Sequence, residues 1–184
     1  ASPARKYDVL SKSEFLDAAT KAGLDTKTEL INGGSDTDWQ DEIYRTAVTQ
    51  NYNMSFGGGS DKTNYMFSVG YQNQQGIVKT TSQDRLTARL NASHKLFDNK
   101  VEVGVAMTTS RILDNFAATG GDIGFEGNVI SNSFKTNPSY PVMKDGAYYT
   151  NGSPTFRNPV AMLNQISIYG PTNRSLLSGY ASWK

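Results

Sequence analysis

The chain lacks cysteine altogether and has a single histidine, His94, among 184 residues. Disulfides, thiolate metal sites and cysteine nucleophiles are thereby excluded, and a lone histidine without a second ligand nearby supplies neither a zinc set nor a catalytic triad. Charge of one sign is also missing. The formal net charge is +1, with basic residues scattered and never in a run, so nothing electrostatic argues for nucleic acid. No apolar run approaches the roughly 18 residues of a membrane-spanning helix, which leaves barrel strands untouched because they alternate. A starting Met and an apolar leader are absent too, since Ala1 opens onto Ser-Pro-Ala-Arg-Lys. The sequence is therefore expected to begin downstream of another segment and, with Ser178 to Lys184 still alternating, to stop inside a strand.

What fills the composition is Gly, Tyr, Asn, Ser and Thr. Hydrophobic residues are 37% and charged residues 19%, with 17 glycines, 10 tyrosines and 8 phenylalanines. That mixture suits strands with one apolar and one polar face, joined by polar loops. Up to residue 48 the reading is loop plus short helices: Ser13 as a candidate N-cap with Glu14 opens a helix closed by Gly23, and a second starts near Trp39 with Asp38 as its cap. From 49 to 110 the period is two. Tyr52, Met54 and Phe56 alternate with Asn51, Asn53 and Ser55 as far as a glycine turn at Gly57 to Lys62. Tyr65, Phe67, Val69 and Tyr71 then oppose Asn64, Ser68 and Gln72.

After a longer link, Asn73 to Gln83, the positions Leu86, Ala88, Leu90 and Ala92 oppose Arg85, Thr87, Arg89 and Asn91. A short turn at Phe97 to Lys100 leads to Val101, Val103, Val105 and Met107, opposed by Glu102 and Gly104. Residues 111 to 171 read as a long loop with no sustained periodicity, and 172 to 184 as the start of a further strand. Short turns alternating with long links are unusual inside a compact soluble domain and ordinary in an outer-membrane barrel. A β-sandwich also alternates, so the second face decides. It carries amides and arginines suited to a wet lumen, while tyrosines and Trp183 end the apolar runs as interfacial girdles do.

From Asp36-Thr37-Asp38-Trp39 through Tyr44-Arg45-Thr46-Ala47 to Gly57-Gly58, the chain resembles the SusC/RagA group of TonB-dependent outer-membrane importers. Lys62-Thr63-Asn64-Tyr65, Gly70-Tyr71, Gln75-Gly76-Ile77-Val78, Arg85-Leu86-Thr87-Ala88-Arg89-Leu90-Asn91 and Asn158-Pro159-Val160-Ala161 continue the resemblance in order. It implies an all-β fold: about five strands of a large transmembrane antiparallel β-barrel of about 22 strands, with long extracellular loops and one or two short helices. The cell outer membrane and its lipid would be the setting. The expected partners are a SusD-like surface lipoprotein, TonB through a plug region outside this chain, and an oligosaccharide or peptide substrate. A surface adhesin or secreted β-protein with a binding loop, or a passive porin, remains the alternative.

Several residue groups invite chemistry. Arg85 and Arg89 share one face, which in a barrel is the lumen, where they meet an anionic ligand or pair with plug carboxylates. In the long loop, Tyr140, Tyr148, Tyr149 and Phe156 are candidates for stacking on a ligand or partner, or for packing the loop on itself. The acids Asp36, Asp38, Asp41 and Glu42 lack the glycine and terminal glutamate of an EF-hand loop and read as a helix start, so no metal and no cofactor is expected. Nothing resembles a nucleophile elbow, a phosphate loop or a zincin helix, and no enzyme is expected.

Overall fold

The computed structural model describes residues 1–119 and 127–183. In chain order the elements are α1 (Lys12–Lys21), α2 (Trp39–Ile43), β1 (Thr49–Gly59), β2 (Thr63–Gln75), β3 (Ser82–Leu96) and β4 (Val101–Phe116). Then follow α3 (Val129–Lys135), β5 (Met143–Lys144), β6 (Ala147–Tyr148), α4 (Pro159–Gln165) and β7 (Ile168–Trp183). They sort into two compact units. One is a sheet unit of Val48–Gln75, Ser82–Asn115 and Tyr169–Lys184; the other gathers Ala1–Ala47, Gly76–Thr81 and Phe116–Ile168.

The sheet has five strands in the order β1-β2-β3-β4-β7, and β1 to β4 pair antiparallel without a slip. Its register settles the two faces. Paired residues share a face, so the rows Tyr52–Tyr71–Leu86, Met54–Val69–Ala88 and Phe56–Phe67–Leu90–Met107 stack apolar on apolar, as the alternation predicts. Asn51–Gln72–Arg85, Asn53–Gly70–Thr87 and Ser55–Ser68–Arg89–Thr108 form the opposite face. On β7, Ser175 shares a face with Thr109 through a 2.9 Å hydrogen bond, whereas Tyr180 donates to Glu102 at 2.9 Å on the polar side. Leu177 and Trp183 therefore continue the apolar face. Among the described residues no strand pairs with the free edge of β1 or of β7.

Strand limits differ from the sequence reading where polar pairs prolong the ladder. The link expected over Asn73 to Gln83 shrinks to Gly76–Thr81, because Asn73 pairs with Asp84 and Gln75 with Ser82. The long loop loses its first residues to β4, which runs to Phe116, and its last to β7, which begins at Ile168. The expected glycine turn is also corrected: Gly57 to Gly59 belong to β1, opposite Met66, Tyr65 and Asn64. The reason is space. The Tyr65 ring lies over Gly58, where an added Cβ would stand 2.6 Å from its hydroxyl. A second ring-over-glycine pair, Tyr180 on Gly104, joins β7 to β4.

The other unit holds the helices. The cap of α1 is Ser11, not Ser13: Ser11 and Glu14 make a reciprocal capping box, and Gly23 follows at φ +76°. Asp38 caps α2 as expected, accepting from the amides of Gln40 and Asp41. The stretch read as aperiodic also contains α3, α4 and the β5–β6 hairpin. One buried cluster joins Ile43, Val78, Val129, Met162 and Leu163, and a second packs Trp39 with Tyr140 and Tyr149. Arg45 ties Gly76–Thr81 to the same unit by donating to the carbonyls of Gly76 and Thr81.

Candidate functional site

The sheet's two faces are the candidate functional surfaces, and each has its own chemistry. On the apolar face Tyr52, Met54, Phe56, Tyr65 and Leu86 are exposed, and their pairing makes the exposed hydrophobic surface contiguous. The band is bounded. Above Tyr71 and Leu86 the same face carries Asn73 and Asp84, with Arg111 beside Leu86 and Leu113 beside Asp84 on β4, and Asp84 accepts from the Tyr71 hydroxyl at 2.8 Å and from Asn73 at 2.7 Å. The rings of Tyr52 and Tyr71 lie near-parallel, 6.5 Å apart, along that border.

In the row that holds Tyr52, Tyr71 and Leu86 the β4 residue is Arg111, set between Leu113 and Thr109 on the same face, with Met107 beyond them. At the other end the apolar run continues past Tyr65 on β2 to Leu96 and Val101 on β3 and β4, with His94 between Ala92 and Leu96.

No family model matches the chain. Among characterised proteins it is 32% identical over 164 residues to the TonB-dependent receptor SusC of Bacteroides thetaiotaomicron, an alignment covering 84% of this chain and 16% of SusC. The chain belongs to the SusC/RagA-type TonB-dependent transporters. It is also 33% identical over 140 residues to the TonB-dependent receptor P3 of Formosa agariphila, covering 73% of this chain and 14% of that protein. In fold it matches the RagAB peptide transporter at a TM-score of 0.69 and 21% identity, over 96% of this chain and 24% of the solved one. The 'closed-closed' state of the RagAB peptide importer gives a TM-score of 0.71. The chain thus spans about a sixth of SusC, and this SusC/RagA-type segment is a run of barrel strands with its connecting unit.

The residues singled out in the sequence fare differently. Arg85 and Arg89 lie together on the polar face, beside Gln72 and Ser68 respectively, around a shallow hollow of about 380 Å³ that Asn51, Asn53 and Thr87 also line. The loop aromatics follow the packing alternative. Tyr140 and Tyr149 are 4% and 6% exposed and pack on Trp39 in the unit's interior, with the partly buried Phe156 set edge-on to both. Tyr140 further spends its hydroxyl on the Leu30 carbonyl at 2.6 Å. Tyr148 is half-buried on β6.

Asp38 and Asp41 pair with Lys6, and among the described residues no group of three metal-ligating side chains converges. The Lys6 hydrogen bond holds the Asp41 carboxyl below the ordinary carboxylate range. His94 hydrogen-bonds Thr63 through Nδ1 at 2.7 Å, near the short turns. Sequence reasoning missed the polar border at Asn73, Asp84 and Arg111. Its signal was present in the alternation, because these residues fall in phase with the apolar set and interrupt it.

Proposed function

We propose that this segment forms part of the wall of an outer-membrane, TonB-dependent importer that takes up oligosaccharides or peptides with a SusD-like surface lipoprotein. The observation that carries the reading is the two-faced sheet, with an exposed apolar face from Tyr52 to Met107 and an opposite face of amides, hydroxyls and arginines. Relatives named as TonB-dependent receptors support the energy coupling. A solved relative named as a peptide transporter supports uptake of an oligomer. In this reading the apolar face meets outer-membrane lipid and Arg85 and Arg89 face the lumen, and the segment performs no catalytic reaction.

The side assignment follows from parity. The short turns, Ser60 to Lys62 and Phe97 to Lys100, leave one end of the sheet, while the chain leaves the other end at Gln75 and Asn115 for Gly76–Thr81 and Phe116–Ile168. Barrels of this kind keep short turns on the periplasmic side and long connections outside, which assigns the connections Gly76–Thr81 and Phe116–Ile168 to the outer side, where a surface lipoprotein binds. Uptake by cells expressing the full-length protein tests the reading. It should cease when TonB is removed, and the lipoprotein should co-purify in detergent. Undiminished uptake without TonB would instead support the passive porin.

A further inference from the structure

On the polar face of this segment basic side chains outnumber carboxylates. Among the described residues Arg85, Arg89, Lys95 and Arg174 share it with two carboxylates, Glu102 and Asp114. Both are engaged by neutral donors, Glu102 by the Tyr180 hydroxyl at 2.9 Å and Asp114 by Gln83 Nε2 at 2.7 Å. Arg85 approaches Asp114 only through Gln83, whose Oε1 accepts from Nη2 at 3.3 Å. Among the described residues no carboxylate comes within 4 Å of either Arg85 or Arg89. The two stand four residues apart on β3, hence about 13 Å between Cα atoms, with Thr87 between them.

Beside Thr87 lies Gly70, whose missing side chain opens the hollow; a Cβ there would sit 2.5 Å from Asn53 Oδ1. Guanidinium forks take carboxylates bidentately, and an unbalanced pair on the concave wall of a low-dielectric barrel concentrates its field on an incoming anion. We propose that Arg85 and Arg89 form a seat for the carboxylate of an acidic oligomer in the lumen. This rests on the importer reading and deepens it by naming the ligand's charge. Each guanidinium is solvated and weak alone, so the pair selects anions while still releasing them.

The test uses the full-length protein in detergent and two matched probe pairs: a glutamate-containing hexapeptide against its glutamine analogue, and trigalacturonate against its methyl ester. Calorimetry should show at least a tenfold preference for the acid member of one pair, and which pair it is identifies the source of the carboxylate. Arg85→Gln and Arg89→Gln should each reduce the preference several-fold and the double variant abolish it, while Arg111→Gln on the lipid-side face leaves it intact. Equal binding of acid and neutral members by the unaltered protein, or a preference surviving the double variant, overturns the seat. So does a double variant that merely lowers the melting temperature, since the arginines would then be paired within the protein itself. TonB-dependent uptake of the neutral probes is measured in parallel, so that the importer reading stands or falls separately.

Discussion

Replacing Leu90 by arginine probes the two-faced sheet where the faces differ most. Leu90 lies mid-band on β3, with Phe67 beside it on β2 and Met107 on β4, so an arginine there has only apolar neighbours across both strand pairs. At the midplane of a bilayer such a substitution costs about 2–4 kcal/mol, which lowers the folded-to-unfolded ratio by about 30- to 1,000-fold. One residue along the same strand, Asn91 points the other way, between Met66 and Ala106 on the polar face, and Asn91→Arg is expected to change stability by about 0.5 kcal/mol or less. The backbone, the strand and the introduced residue are the same, so the difference isolates the face. The assay is the folded fraction, read from heat-modifiable gel mobility, across a guanidinium titration of full-length protein in phospholipid vesicles. Equal penalties at the two positions, or a larger one at Asn91, would refute the assignment of faces.

Ile43, fully buried in the cluster of the helical unit, should lose about 2–5 kcal/mol of local stability on Ile43→Ala, seen as faster hydrogen exchange in α2, α3 and α4. Gly104→Val drives a side chain into the Tyr180 ring, since even a Cβ would lie 2.2 Å from it; a loss of about 1–3 kcal/mol is expected in the same vesicle titration, largely restored by Tyr180→Ser. The Lys6–Asp41 pair carries a pH dependence. The Asp41 carboxyl is held below its ordinary range, so its contribution is present above the unfolded value, about 3.9, and disappears as pH falls through the folded value. Both groups are solvated, which limits the effect to under about 1 kcal/mol. Exchange at residues 6–10, corrected for intrinsic rate, should be faster at pH 3 than at pH 6, and Lys6→Ala should remove the difference.

How much was legible in the sequence depended on whether the signal was local. The faces of β1 to β4 were readable because a period of two, once phased by Tyr65 and Phe67, fixes every later side chain on a strand. Strand ends were not. Asn73, Asp84 and Gln83 look like loop residues, yet they continue the ladder, Asn73 and Gln83 opposite polar partners and Asp84 opposite Asn73 and Leu113, and only the register reveals that. Gly57 to Gly59 misled for the opposite reason, since glycine marks a turn locally and here makes room for a ring on the next strand. The loop tyrosines were recognised as packing residues or binding residues without a way to choose. The choice depends on Trp39, about a hundred positions away in sequence, whose Nε1 donates to the Asn137 carbonyl at 3.0 Å. Arg85 and Arg89 were legible as sharing a face, whereas the engagement of Asp114 and Glu102 by neutral donors required coordinates.

The helical unit is assembled from three separated stretches of chain, and this has a consequence for the order of folding. Ile43 and Val78 share a buried cluster although about 35 residues separate them. Once β1 is zipped to β2 at Thr49 and Gln74, the path between them is about ten residues, which reduces the entropy of closing that loop by about 1 kcal/mol. Pairing of Ser82 with Asn115 likewise cuts the path from Val78 to Ala118 from about 40 residues to about seven, for a further 1.5 kcal/mol or so. Strand ladders that form first would therefore make distant cluster residues neighbours along the chain. Substitutions that slow pairing of β2 with β3 should delay the helical unit as well, even where they touch none of its residues.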